Sequence, residues 1–117
     1  MAKIRLRTII CINPDESDKD EIYIKFRDKK IWPKNANYHR LGVDEKATLG
    51  LSSSFKSEWV ELELWDYDFA SKNDFLGTFQ LQTTQEPGHY GTVLTNNLEV
   101  SEHAEYVLNW EIVAPTS

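Results

Sequence analysis

Apolar and polar residues alternate with a period of two over most of the chain. In KIRLRTIICI, residues 3 to 12, Ile4, Leu6, Thr8, Ile10 and Ile12 fall on one side and Lys3, Arg5 and Arg7 on the other, as in a strand with one buried face. EIYIKF sends Ile22, Ile24 and Phe26 inward, and EWVELELW sets Val60, Leu62 and Leu64 against Glu61 and Glu63. FLGTFQL groups Phe75, Gly77, Phe79 and Leu81, and AEYVLNWEIV groups Tyr106, Leu108, Trp110 and Ile112. Weaker strand candidates are KKIWP, ended by Pro33, then YHRLGV, ATLGLSSS, and YGTVLT behind the turn EPGH. No helical stripe is sustained, and only VDEKATLG, residues 43 to 50, has room for a helical turn. Strands at short spacing joined by polar turns predict an all-β antiparallel sandwich of roughly seven or eight strands.

A chain of 117 residues is long enough for one buried core and short for two. This predicts one domain over residues 1 to 117, with APTS at 114 to 117 as a flexible tail. At 40% hydrophobic and 27% charged, the composition is that of a folded protein. Cys11 is the sole cysteine, which excludes an intramolecular disulfide and a cysteine-based zinc pattern; its place in RTIICI predicts a buried thiol. The opening MAKIRLRTII has neither a long apolar run nor a small-residue cleavage site, pointing to a cytoplasmic or peripheral membrane location while leaving secretion open. His39, His89 and His103 lie in separate predicted loops without paired spacing, and Cys11 is mid-strand, so the chain is expected not to be an enzyme.

Charge changes the picture more than composition does. The net charge of −6 argues against nucleic acid, whose phosphates need a surplus of Lys and Arg, and in favour of cations. Acids crowd into NPDESDKDE, residues 13 to 21, while the next stretch reverses sign with Lys25, Arg27, Lys29, Lys30, Lys34 and Arg40. A second acidic group, Asp66, Asp68 and Asp74, occupies positions 1, 3 and 9 of a loop leaving a strand. Side chains at i and i+2 of an extended segment share a side, so Asp66 and Asp68 point together and the loop curls Asp74 back toward them. Converging carboxylates repel unless a cation neutralises them, and calcium, a hard ion with oxygen ligands, matches. The loop is not an EF-hand: Ser71 stands where that loop needs Gly, Gly77 where it needs Glu, and a strand precedes it.

VELELWDYDFASKNDFLGTFQL, residues 60 to 81, resembles the third calcium-binding loop and flanking strands of C2 domains: apolar strand, Asp-aromatic-Asp, a polar stretch with Ser and Lys, then Asp, an apolar pair and Gly. CINPDESDKDEIYIKF is similar to that family's first loop, with Asp15 at the first acidic position and Asp20 or Glu21 at the second. The resemblance implies an eight-stranded C2-like sandwich in the permuted variant, with the family's first strand placed last as EYVLNWEIVA. It implies calcium ligands at Asp15, Asp20 or Glu21, Asp66, Asp68 and Asp74, with a carbonyl from Phe69 and a hydroxyl from Ser71. Bound calcium would then engage an anionic phospholipid surface or an acidic partner, with Phe69, Ala70 and Lys72 at the tip. In some C2 domains a concave basic groove receives phosphoinositide headgroups; Lys25, Arg27, Lys29 and Lys30 are its counterparts here. The competing reading is a calcium-independent structural or protein-interaction domain, accessory to a larger assembly or toxin.

Overall fold

A computed structural model describes residues 3–99 and 103–114. The strands run β1 (Lys3–Asn13), β2 (Asp20–Phe26), β3 (Lys29–Trp32), β4 (His39–Leu41), β5 (Lys46–Ser54), β6 (Trp59–Asp66), β7 (Asp74–Gln82), β8 (Gly88–Val93), β9 (Thr95–Asn96) and β10 (Glu105–Val113). One sheet has the order β5-β1-β10-β8; the other runs β3-β2-β6-β7-β9, with β4 also pairing β2. All pairings are antiparallel. Setting aside the short β4 and β9 leaves four strands facing four, the eight-stranded sandwich expected. Ala114 of the expected tail is exposed, and residues 115–117 lie outside the described residues.

The inward residues of both sheets form the core. Val60, Leu62 and Leu64 of β6, and Tyr106, Leu108, Trp110 and Ile112 of β10, are buried as the alternation predicts. So is the Cys11 thiol, whose pKa burial pushes up to about 11. Two strands break the expected phase. In β1, Leu6 pairs Trp110 but Thr8 pairs Asn109, so Arg7 is an extra residue and the alternation flips beyond it. Ile9 and Cys11 therefore face the core, while Ile10 is only half-buried and Ile12 is exposed. In β7, Gly77 pairs Leu64 and Phe75 pairs Trp65, leaving Leu76 as the extra residue. Leu76 enters the core and Phe75 stays on the outer face against Trp65.

Residues 43 to 50 hold no helical turn. Val43 and Asp44 form a turn, Asp44 at φ +62°, and β5 follows. Between β2 and β3, Arg27 and Asp28 both take positive φ, 50° and 68°, as a two-residue hairpin turn requires. That tight turn sets Lys29 opposite Phe26 and Lys30 opposite Lys25.

Candidate metal centre

Strands β2, β6 and β7 reach the same end of their sheet: Ile22 pairs Asp66, and Asp66 pairs Asp74. The loops they emit, residues 14–19 and 67–73, therefore leave side by side. Residues 42–45 join them, since the amide of Cys11 donates to Glu45 O at 2.9 Å and Lys19 Nζ lies 3.0 Å from Glu45 Oε1.

Two carboxylates are buried at the mouth of these loops, Asp20 at 0% exposure and Asp66 at 2%. Asp20 folds the first loop around itself. Its Oδ2 accepts the Asp15 amide at 2.8 Å and the Tyr106 hydroxyl at 2.5 Å, and its Oδ1 accepts the Glu16 amide at 2.9 Å. Asp66 is less well served. Its Oδ1 accepts the Glu21 amide at 2.9 Å, whereas its buried Oδ2 has no hydrogen-bond partner.

Around Asp66 the acids converge. Carboxylate oxygens of Asp15, Asp66 and Asp74 lie within 4.8 Å of one another, as do those of Glu16, Asp20 and Asp66. Burial first, then the charges of Asp20, Glu16 and Asp15, push the Asp66 carboxyl up to about 8 against the opposing pull of the Glu21 amide. Burial raises Asp74 as well, helped by Asp15 and Asp68, and raises Glu16, helped by Asp20. A buried, partly unpaired carboxylate among other acids is costly unless a proton or a cation binds there, and an all-oxygen donor set suits calcium.

The third loop is organised by Asp68. Its Oδ2 accepts the Ser71 hydroxyl at 2.7 Å and its Oδ1 the Ala70 amide at 2.9 Å, which together hold its carboxyl below the usual value. Its own amide donates to Asn73 Oδ1 at 2.9 Å, and Asn73 Nδ2 reaches the Tyr23 hydroxyl at 2.8 Å. Phe69, Ala70 and Lys72 are exposed, Phe69 at 92%.

The whole molecule matches solved β-sandwiches. A structure titled "Structure of a C2 domain" aligns over 97% of this chain and 100% of its own, at TM-score 0.59 and 15% identity. The fold is a C2-like domain. The C2A domain of a plant extended synaptotagmin 1 aligns over 99% of this chain and 95% of its own, at TM-score 0.54 and 12% identity. By sequence, no protein family and no curated protein matches the chain.

Of the residues singled out from sequence, this C2-like domain brings together Asp15, Asp20, Asp66 and Asp74. Glu21 sits half-buried in β2 and Asp68, Phe69 and Ser71 in the third loop; among the described residues none of these belongs to a converging acidic set. Glu16 joins the cluster although its spacing did not mark it, because Asp20 captures its amide and turns the loop. Tyr106 was invisible as a site residue, since its phase in β10 marks it only as core. The basic residues are partly engaged elsewhere. Lys25 lies 3.4 Å from Asp28 and 4.9 Å from the Trp65 ring centre, Arg27 covers Phe26, and Lys30 donates to the carbonyls of Pro33 and Ala36. Lys29 is exposed.

Proposed function

We propose that the chain is a single C2-like module over residues 1 to 117 that binds calcium between its first and third loops and attaches to an anionic phospholipid surface or acidic partner. It acts as a binding module, not a catalyst, in the cytoplasm or at a membrane periphery. The observation that carries this reading is the buried Asp66, whose Oδ2 is unpaired and whose carboxylate belongs to two acidic sets, one with Asp15 and Asp74 and one with Glu16 and Asp20. Asp15, Asp66 and Asp74 would hold the ion directly, joined by Asp68, the Phe69 carbonyl and the Ser71 hydroxyl. Asp20 or Glu21 supplies the remaining first-loop oxygen. The Asp20 bonds to the Asp15 and Glu16 amides preshape that loop, so little ordering is left to binding. Calcium supplies positive charge where the chain has stacked negative, turning the loop end from repelling to attracting an anionic surface. Phe69 offers the single large apolar contact of the third-loop tip, whereas Arg27, Lys29 and Lys30 lie at the β2–β3 turn, the far end of β2 from these loops.

Titration calorimetry of chelator-stripped protein with calcium tests the metal step. Saturable heat that is lost in Asp66→Asn is expected; absence of both heat and thermal stabilisation at millimolar calcium rules the step out. Sedimentation with phosphatidylserine vesicles tests the output separately, expecting retention in calcium and release in chelator. The calcium-independent interaction reading is favoured by one observation, that Asp20 already organises the first loop without an ion. It predicts identical thermal unfolding with and without calcium.

A further inference from the structure

A cleft of about 400 Å3 is walled by β1 and β5 of one sheet and by β2, β3 and the residues just after β3 of the other. Strands β5 and β3 are the end strands of their sheets, so the cleft lies where the sandwich has an open side. Its volume is in the range of sites that take small molecules. Ile4 and Leu6 belong to the buried core, and Phe26, Ile31, Leu51 and Phe55 are half-buried apolar side chains packed against it. In a chain with 19 acidic and 13 basic residues, no acidic residue lines this cleft; its charged residues are Lys30 and Lys34. The Lys30 ammonium is held by the carbonyls of Pro33 and Ala36, and Lys34 is exposed. The adjoining larger cleft differs, mixing Asp28, Glu61 and Glu63 with Arg27 and Lys56.

An apolar slot bordered by cations alone matches an amphiphile with an apolar tail and a negative head. We propose that this cleft binds one alkyl chain of a free fatty carboxylate, the tail against Ile31, Leu51 and Phe55 and the carboxylate at Lys30 and Lys34. The site stands apart from the acidic loops, so binding is independent of calcium.

Calorimetric titration with straight-chain carboxylates from hexanoate to decanoate, at pH 7.5 in EDTA, tests it without involving the metal site. Saturable one-to-one binding is expected, tightening about fourfold for each added methylene as more apolar surface leaves water. Lys34→Glu, at an exposed position, weakens decanoate at least fivefold and leaves 1-decanol within twofold. Leu51→Trp fills the slot and abolishes binding of both; if that variant does not fold, the chain-length series and Lys34→Glu still decide. Non-saturable uptake, affinity that does not rise with chain length, or indifference to Lys34→Glu overturns the proposal. Tighter binding of a rigid aromatic sulfonate than of decanoate overturns the choice of an alkyl tail.

Discussion

The Tyr106 hydroxyl, on the strand before the C-terminus, donates to Asp20 Oδ2 at the start of the second strand, 2.5 Å away and 86 positions distant in sequence. It ties one sheet to the other beneath the acidic loops. It also holds the carboxylate that captures the amides of Asp15 and Glu16.

Tyr106→Phe removes that bond while keeping the ring in the core. A hydrogen bond to a charged acceptor contributes about 1.5–3 kcal/mol, and chemical denaturation is expected to show a loss of that size. Faster amide exchange at Asp15 and Glu16 should accompany it; unchanged exchange there would show that Asp20 holds the loop unaided.

Asp66→Asn keeps the shape but removes a buried carboxyl that takes up a proton in the calcium-free folded chain at neutral pH. In chelator the variant should be more stable than the native chain by about 1–3 kcal/mol at neutral pH, since the native chain must either bury an unpaired charge or take up a proton that the unfolded chain does not bind. In calcium the order should reverse, because only the native chain gains from the ion. Two melting curves, with and without calcium, check both signs.

The raised Asp66 carboxyl makes calcium-free stability depend on pH. Its folded value, about 8, lies above the unfolded value of 3.8, so the folded state binds the extra proton between them. The Asp66 contribution is fully present below the unfolded value and is lost as pH rises through the folded one. Asp74 and Glu16 are raised and lean the same way, whereas Asp68 and Glu45 are lowered and lose their contribution only as pH falls below the usual carboxylate range. Unfolding free energy in chelator should therefore fall from about pH 5 to pH 8, at up to about 1.4 kcal/mol per pH unit for one proton, and the melting temperature with it. A rise over that interval contradicts the assignment.

Gly77 lies where β7 meets β9, at φ +154°, and a Cβ there would sit 2.2 Å from the Thr95 carbonyl oxygen. Gly77→Ala must displace backbone, not a flexible side chain. A loss of at least about 2 kcal/mol in denaturant unfolding is expected, at the upper end for overpacking. By contrast, Gly50→Ala meets nothing within 4 Å and suffers only from its positive φ of 62°.

Alternation alone established the β architecture, because a half-buried strand needs apolar side chains every second residue wherever it sits in the fold. It also marked Val60, Leu62, Leu64, Leu108 and Trp110 as core. The spacing of Asp66 and Asp74 was legible too, since it is local to one loop. The expectation that Asp68 points with them was not met, because Ser71 and the Ala70 amide hold its carboxylate within the loop. The phase of β1 beyond Arg7 and of β7 at Leu76 was not legible, because a bulge is fixed by the partner strand's register. The same limit applied at the acidic end. Sequence could leave the second first-loop acid only as Asp20 or Glu21. Tertiary structure buried Asp20 under Tyr106 and left Asp66 Oδ2 without a donor, because which donors reach a buried carboxylate depends on strands that meet only after the sandwich closes.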